Sequence, residues 1–174
     1  MQLQSCKSHF QMDKVSINKD MHLSQHFTLG EVTKTSVKTA DGNIPSRVAI
    51  ENLKNLCENW LEELRENYNL IYEGVGDCKG DEPIIITSGY RSPEVNKAVG
   101  GAPTSNHLTG CAVDIRCVGI EQALRYANIL LDIADGSKRD YDELFIERSK
   151  QGRYWIHFAV RPKENRRKTA FIQT

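Results

Sequence analysis

Ser88–Arg116 reads SGYRSPEVNKAVGGAPTSNHLTGCAVDIR, and a shorter stretch, Tyr154–His157, reads YWIH. Between them they supply His107, Asp114 and His157, two imidazoles and one carboxylate. That is the donor set of a catalytic zinc ion, which takes three protein ligands and leaves a fourth position for water. His107 and Asp114 are seven residues apart with Gly110 between them, so they need a turn running into a strand rather than one helix face. The helical signature H-E-x-x-H is absent. From Cys111 the chain alternates, with Cys111, Val113 and Ile115 on one face and Ala112, Asp114 and Arg116 on the other. Asp114 therefore leaves the apolar side of its strand, while Cys111 joins that side as a small hydrophobe.

Working outward, Pro83–Thr87 is a short β-branched run and reads as a buried strand. Ser92-Pro93-Glu94 opens a short helix that ends before Gly100. The pair of segments Asp142–Glu147 and Tyr154–Val160, joined by the polar RSKQGR, predicts a hairpin. Pairing Ile146 with Ile156 and Leu144 with Phe158 buries all four on one face. That register sets Phe145 opposite His157 and Glu147 opposite Trp155 on the other face, with Glu147 diagonal to His157. Apolar residues at steps of three and four predict a long amphipathic helix from Arg47, built on Leu53, Leu56, Cys57, Trp60, Leu61 and Leu64. A second helix is expected over Ile120–Ala134, built on Ala123, Leu124, Ala127, Leu130 and Leu131. Phe27 and Leu29 anchor the segment from His22, and Asp41-Gly42-Asn43 is a turn signal. The His22/His26 pair lacks a helical pattern and is not read as a metal site.

The chain's 174 residues suit one domain with a proper core. Residues 1–20 read as a flexible extension and residues 21–174 as the domain. Lys plus Arg and Asp plus Glu total 23 each, which argues against a polyanionic partner. The basic run Arg161–Lys168 lacks interleaved aromatics, so it reads as a solvated terminus or an anionic cell-wall contact rather than a nucleic-acid site. Five cysteines without zinc-finger spacing read as reduced thiols. No apolar signal region or membrane-spanning stretch is apparent, which predicts a cytoplasmic monomer that reaches a cell wall only if released.

The combination S-x-H-x-x-G-x-x-x-D, then W-x-H, together with HFTLGE, SGYRS, NKAVGG and the trailing Asn165-Arg166, resembles the zinc D-alanyl-D-alanine carboxypeptidase family of peptidoglycan peptidases. That family shares its fold with the hedgehog signalling domain. The resemblance implies Zn2+ held by His107, Asp114 and His157, polarising a peptide carbonyl and lowering the pKa of its bound water to about 7. It also implies a carboxylate that moves the proton. Several relatives carry it three residues before the last histidine, where this chain has Tyr154; relatives with a longer hairpin carry it before the turn, which matches Glu147. Glu143, on the same face, is the weaker candidate. Arg91 matches the family arginine that steadies substrate, Ser105 matches a residue near substrate whose bland role is capping, and Trp155 either walls a cleft or covers the sheet.

Residue patterns and resemblance together predict an α+β single domain with a mainly antiparallel sheet, helices on one side and a zinc cleft on the other. The expected activity is metallopeptidase cleavage of an amide bond in the peptide stem of peptidoglycan, as a carboxypeptidase or as an endolysin-type endopeptidase of a phage or prophage. The alternative is a catalytically inactive, zinc-stabilised binding module of the same fold, because fold alone does not establish activity.

Overall fold

The computed structural model describes residues 17–174. In chain order the elements are α1 (Leu29–Val32), α2 (Arg47–Leu56), a π-helical turn (Cys57–Leu61), α3 (Glu62–Tyr72), β1 (Ile86–Ser88), α4 (Pro93–Ala98), a 3-10 turn (Asn106–Thr109), β2 (Ala112–Cys117), α5 (Gly119–Ser137), β3 (Glu143–Arg148), β4 (Tyr154–Ala159) and β5 (Lys168–Gln173). Of the extension expected over residues 1–20, residues 1–16 lie outside the described residues. Ile17 packs against the core, and the Lys19 carbonyl accepts a hydrogen bond from the Gly30 N–H at 2.8 Å.

The helix expected from Arg47 begins there, with the Ser46 hydroxyl accepting from the Ala49 N–H. Such a cap contributes about 1 kcal/mol. Leu53, Leu56, Cys57, Trp60, Leu61 and Leu64 are all buried, as their spacing requires. The column is not one regular helix, because the π turn widens it at Cys57–Leu61. The wider turn seats Trp60 against Phe158, with ring centroids 5.1 Å apart. Arg139 covers the outer side of the indole and donates to the Asn59 carbonyl at 2.6 Å.

The five strands form one sheet in the order β1-β2-β4-β3-β5. Pairs β1/β2, β2/β4 and β3/β4 are antiparallel. The hairpin has the expected register: Ile146 faces Ile156, Leu144 faces Phe158, Phe145 faces His157 and Glu147 faces Trp155. Burial decides this, since a slip of one residue would turn Leu144 and Phe158 out of the core. Val113, Ile115, Leu144, Ile156 and Phe158 share one apolar cluster with residues of α2, α3 and α5. Asp114 and His157 project from the opposite face.

The sheet is mainly antiparallel, as expected, with one parallel addition: β5 runs parallel to β3, with Glu143 beside Lys168 and Glu147 beside Ile172. This edge strand is almost entirely exposed, so it has no buried alternation by which to be recognised. Helix α5 turns Ala123, Ala127 and Leu130 inward as expected and packs Leu131 against the core, but Leu124 is 49% exposed, and Tyr126, Ile129, Ile133 and Ala134 complete the buried face. Finally, the basic run is not a solvated tail. Arg166 pairs with Asp142 and Glu143, Arg161 lies 3.7 Å from Asp142, and Arg167 pairs with Asp135 and Asp140. Its positive charge is largely spent inside the domain.

Cys57, Cys78, Cys111 and Cys117 are buried and free. Among the described residues no helix is long and apolar enough to cross a membrane. Asn43, read only as part of a turn, is buried in the left-handed region at φ 53°. Its amide donates to the Thr33 and Tyr90 carbonyls and accepts from the Ser92 N–H at 2.7 Å, which pins the loop that carries Arg91. Gly110 closes the 3-10 turn at φ 72° and lies so near α2 that a Cβ would overlap the Ala49 carbonyl. Gly110→Ala is therefore expected to cost about 2 kcal/mol of stability, a drop of about 4 to 8 °C in thermal midpoint for a domain of this size. A calorimetric midpoint equal to the wild type would show that the turn relaxes without strain.

Candidate metal centre

Two backbone devices aim the three side chains. The Ser105 hydroxyl accepts from the His107 N–H at 3.4 Å and so caps the 3-10 turn that carries this histidine. The strand pairing of β2 with β4 sets Asp114 directly opposite His157. Neighbouring strands then complete a row across the sheet face: Ser88, Asp114, His157 and Phe145. Phe145 stacks on the His157 ring at 5.7 Å and 18°.

Nitrogen and oxygen atoms of His107, Asp114 and His157 lie within 4.8 Å of one another. Asp114 Oδ1 is 3.2 Å from His107 Nε2 and 2.9 Å from His157 Nδ1. Ligand atoms on a tetrahedral zinc, with bonds of about 2 Å, stand roughly 3.3 Å apart. All three residues are buried.

The far side of each ring identifies the nitrogen available to a metal. His107 Nδ1 is 2.6 Å from the Gly89 carbonyl. A carbonyl only accepts, so that nitrogen carries the proton and leaves Nε2 with a lone pair toward Asp114. The contact is held from both sides, because the Arg91 N–H donates back to the His107 carbonyl at 3.0 Å. Gly89 is required where it stands, since a Cβ would overlap the Val32 carbonyl. His157 Nε2 is 3.4 Å from Glu143 Oε2, which likewise leaves Nδ1 pointing at Asp114. Two lone pairs aimed at one carboxylate oxygen repel unless a cation lies among them, so the donor set fits a metal ion and its outer contacts fit too.

The electrostatics agree. Burial opposes the charge of Asp114, yet the charges and hydrogen bonds of His107 and His157 outweigh it and hold the carboxyl well below the usual range. Burial opposes a charged His157, but its hydrogen bonds to Asp114 and Glu143, with the charges of Asp114 and Glu147, push its pKa up to about 9. The carboxylates that face His157 thus favour positive charge at this site.

The remaining expected residues separate by what they touch. Arg91 donates from Nη2 to Asp114 Oδ2 and from Nε to the Ser88 hydroxyl at 2.8 Å, contacts additional to the substrate role expected of it. Glu147 and Trp155 face each other on the site side of the sheet, both half-buried. Burial raises the Glu147 pKa, with Asp114 adding to the rise and His157, Arg91 and Trp155 opposing it. Tyr154, three residues before His157, falls on the opposite face of β4 and packs against the core beneath the Arg148 guanidinium. Glu143 is fully engaged, with Arg166 on Oε1 and Asn106 on Oε2. Asn106, Asp142 and Arg166 were not singled out as partners of the site. Asn106 precedes His107 in sequence, but nothing in its spacing announces a bond to β3.

The family model described as Peptidase M15 matches residues 25–135. That region includes Arg91, His107 and Asp114 and stops short of His157. The zinc D-Ala-D-Ala carboxypeptidase of Streptomyces albus G is 30% identical over 91 residues, which are 52% of this chain and 31% of that protein. The chain thus matches about a third of the length of this curated relative.

Proposed function

The chain belongs to the peptidase M15 family, and from that premise we propose that it is a zinc metallopeptidase cutting an amide bond in the peptide stem of bacterial peptidoglycan. The observation that carries the reading is the meeting of His107, Asp114 and His157 from separate segments, each imidazole having its other nitrogen occupied by an acceptor. The stem peptide as substrate is supported by the Streptomyces relative, whose name specifies D-Ala-D-Ala.

His107 Nε2, Asp114 Oδ1 and His157 Nδ1 are the ligand atoms in this reading. Bound zinc supplies a Lewis acid for the scissile carbonyl and brings the pKa of a water toward neutrality. Glu147, with its raised pKa, takes the proton of the attacking water and passes it to the leaving amine. Arg91 occupies Asp114 Oδ2 and so leaves Oδ1 to the metal. Its guanidinium has further N–H groups with which to orient a substrate carbonyl or carboxylate. Trp155 and Phe145 wall the site on either side of the Glu147–His157 diagonal. Ser105 acts through the turn it caps.

The test is mass spectrometry of purified peptidoglycan fragments incubated with zinc-loaded protein, beside a chelated control. Zinc-dependent loss of one alanine identifies a carboxypeptidase, and a larger split identifies an endopeptidase and its bond. Intact fragments from several wall chemistries, with zinc confirmed on the protein, would favour the inactive binding module instead.

A further inference from the structure

We propose that Glu143 is a positioning residue for the metal, holding His157 with Nδ1 bare toward Asp114, and that Asn106 and Arg166 hold Glu143 in place. This rests on the metal reading above and deepens it. Glu143 Oε2 stands 3.4 Å from His157 Nε2. A carboxylate only accepts, so the nitrogen facing it carries the hydrogen, and a neutral ring then offers its lone pair at Nδ1. The opposite tautomer would present an N–H to the metal and a lone pair to Glu143.

Glu143 is not free to swing away. Arg166 Nη2 donates to its Oε1 at 2.7 Å, and Asn106 Nδ2 donates to its Oε2 at 3.0 Å. Both donors are themselves fixed by Asp142, whose side chain is fully buried. Arg166 grips it through Nε at 2.7 Å and Nη2 at 2.6 Å, and Asn106 reaches its Oδ2 at 2.8 Å. The chain is built to deliver Arg166. Asn165 closes the loop after β4 by accepting from the Arg161 N–H at 2.8 Å and donating to the Arg161 carbonyl at 2.9 Å. Asn106 lies on the same turn as His107. One pair of adjacent carboxylates therefore ties the turn carrying the first histidine to the back of the last, with the C-terminal segment as the clamp.

The test compares wild type, Glu143→Leu and Glu143→Gln. Leucine removes the acceptor, while glutamine retains one oxygen for the His157 N–H. Asn106 and Arg166 keep Asp142 as partner in both, so both variants should fold, with metal-free thermal midpoints near the wild type. Zinc affinity is read by competition with a chromophoric chelator, and the His157 Nε2–H hydrogen bond from the side-chain 1H and 15N shifts of the zinc-loaded proteins. Glu143→Leu is expected to weaken zinc binding by about 10- to 100-fold and to disturb the Nε2–H signal. Glu143→Gln is expected to recover most of both. A leucine variant with wild-type affinity, or with weaker binding but an unchanged His157 Nε2–H signal, overturns the positioning role alone. Wild-type protein that takes up no zinc overturns this role together with the metal reading.

Discussion

Glu147→Ala is expected to lower turnover on peptidoglycan fragments by about 10²- to 10⁴-fold, the contribution of one well-placed proton-transfer group, while zinc content stays at the wild-type level. Glu143 has both oxygens engaged by Arg166, Asn106 and His157, so it has little freedom to collect a proton and release it. Tyr154 occupies the position where several relatives carry their acid, yet on this strand it points into the core side. Glu147 remains, on the site face and diagonal to His157, with burial raising its pKa. That rise suits a group that must accept a proton and then give it up near neutral pH. Kinetics and zinc analysis on the same preparation check the result. Full turnover would remove Glu147 from the mechanism; loss of zinc would mean that its effect is on the metal rather than on the proton.

Much of this arrangement could be read from side-chain alternation before any coordinates. Leu144, Ile146, Ile156 and Phe158 have only one mutual register that buries them together, and that register carries Phe145, Glu147 and His157 to the other face without further information. The Cys111–Arg116 alternation oriented Asp114 in the same way. What could not be read was decided by partners distant in sequence. β5 is recognised only by its neighbour β3, because its own side chains are exposed on both faces. The stripe on α5 was misjudged at Leu124 since alanine, tyrosine and isoleucine steps around the helix offer more than one apolar face.

The charged residues were the hardest. A run such as Arg161–Lys168 has the composition of a solvated tail, and composition cannot reveal that Asp135, Asp140, Asp142 and Glu143 lie within reach. Arg91 illustrates a subtler limit. Its motif suggested a substrate contact, while its nearest carboxylate is Asp114 itself. The two roles are compatible for a fork of five N–H donors, but only coordinates could reveal the first.

His107→Ala is expected to abolish stoichiometric zinc binding and, with it, the stabilisation that zinc confers. Any ligand that binds only the folded chain adds stability by mass action, about 4 kcal/mol when free zinc is a thousand times its dissociation constant. For a domain of this length that corresponds to a rise of about 8 to 16 °C in thermal midpoint. The substitution also deletes a buried ring and its bond to the Gly89 carbonyl, so the variant should be less stable even without metal. The informative quantity is therefore the gap between zinc-loaded and chelated midpoints, measured for each protein. In the wild type the gap should be large. In the variant it should close, because Asp114 and His157 alone leave the metal two protein ligands, and His107 is the one histidine of the pair whose free nitrogen is fixed by a main-chain carbonyl. A variant that keeps both its zinc and a wild-type gap would place the metal elsewhere and take His107 out of the site.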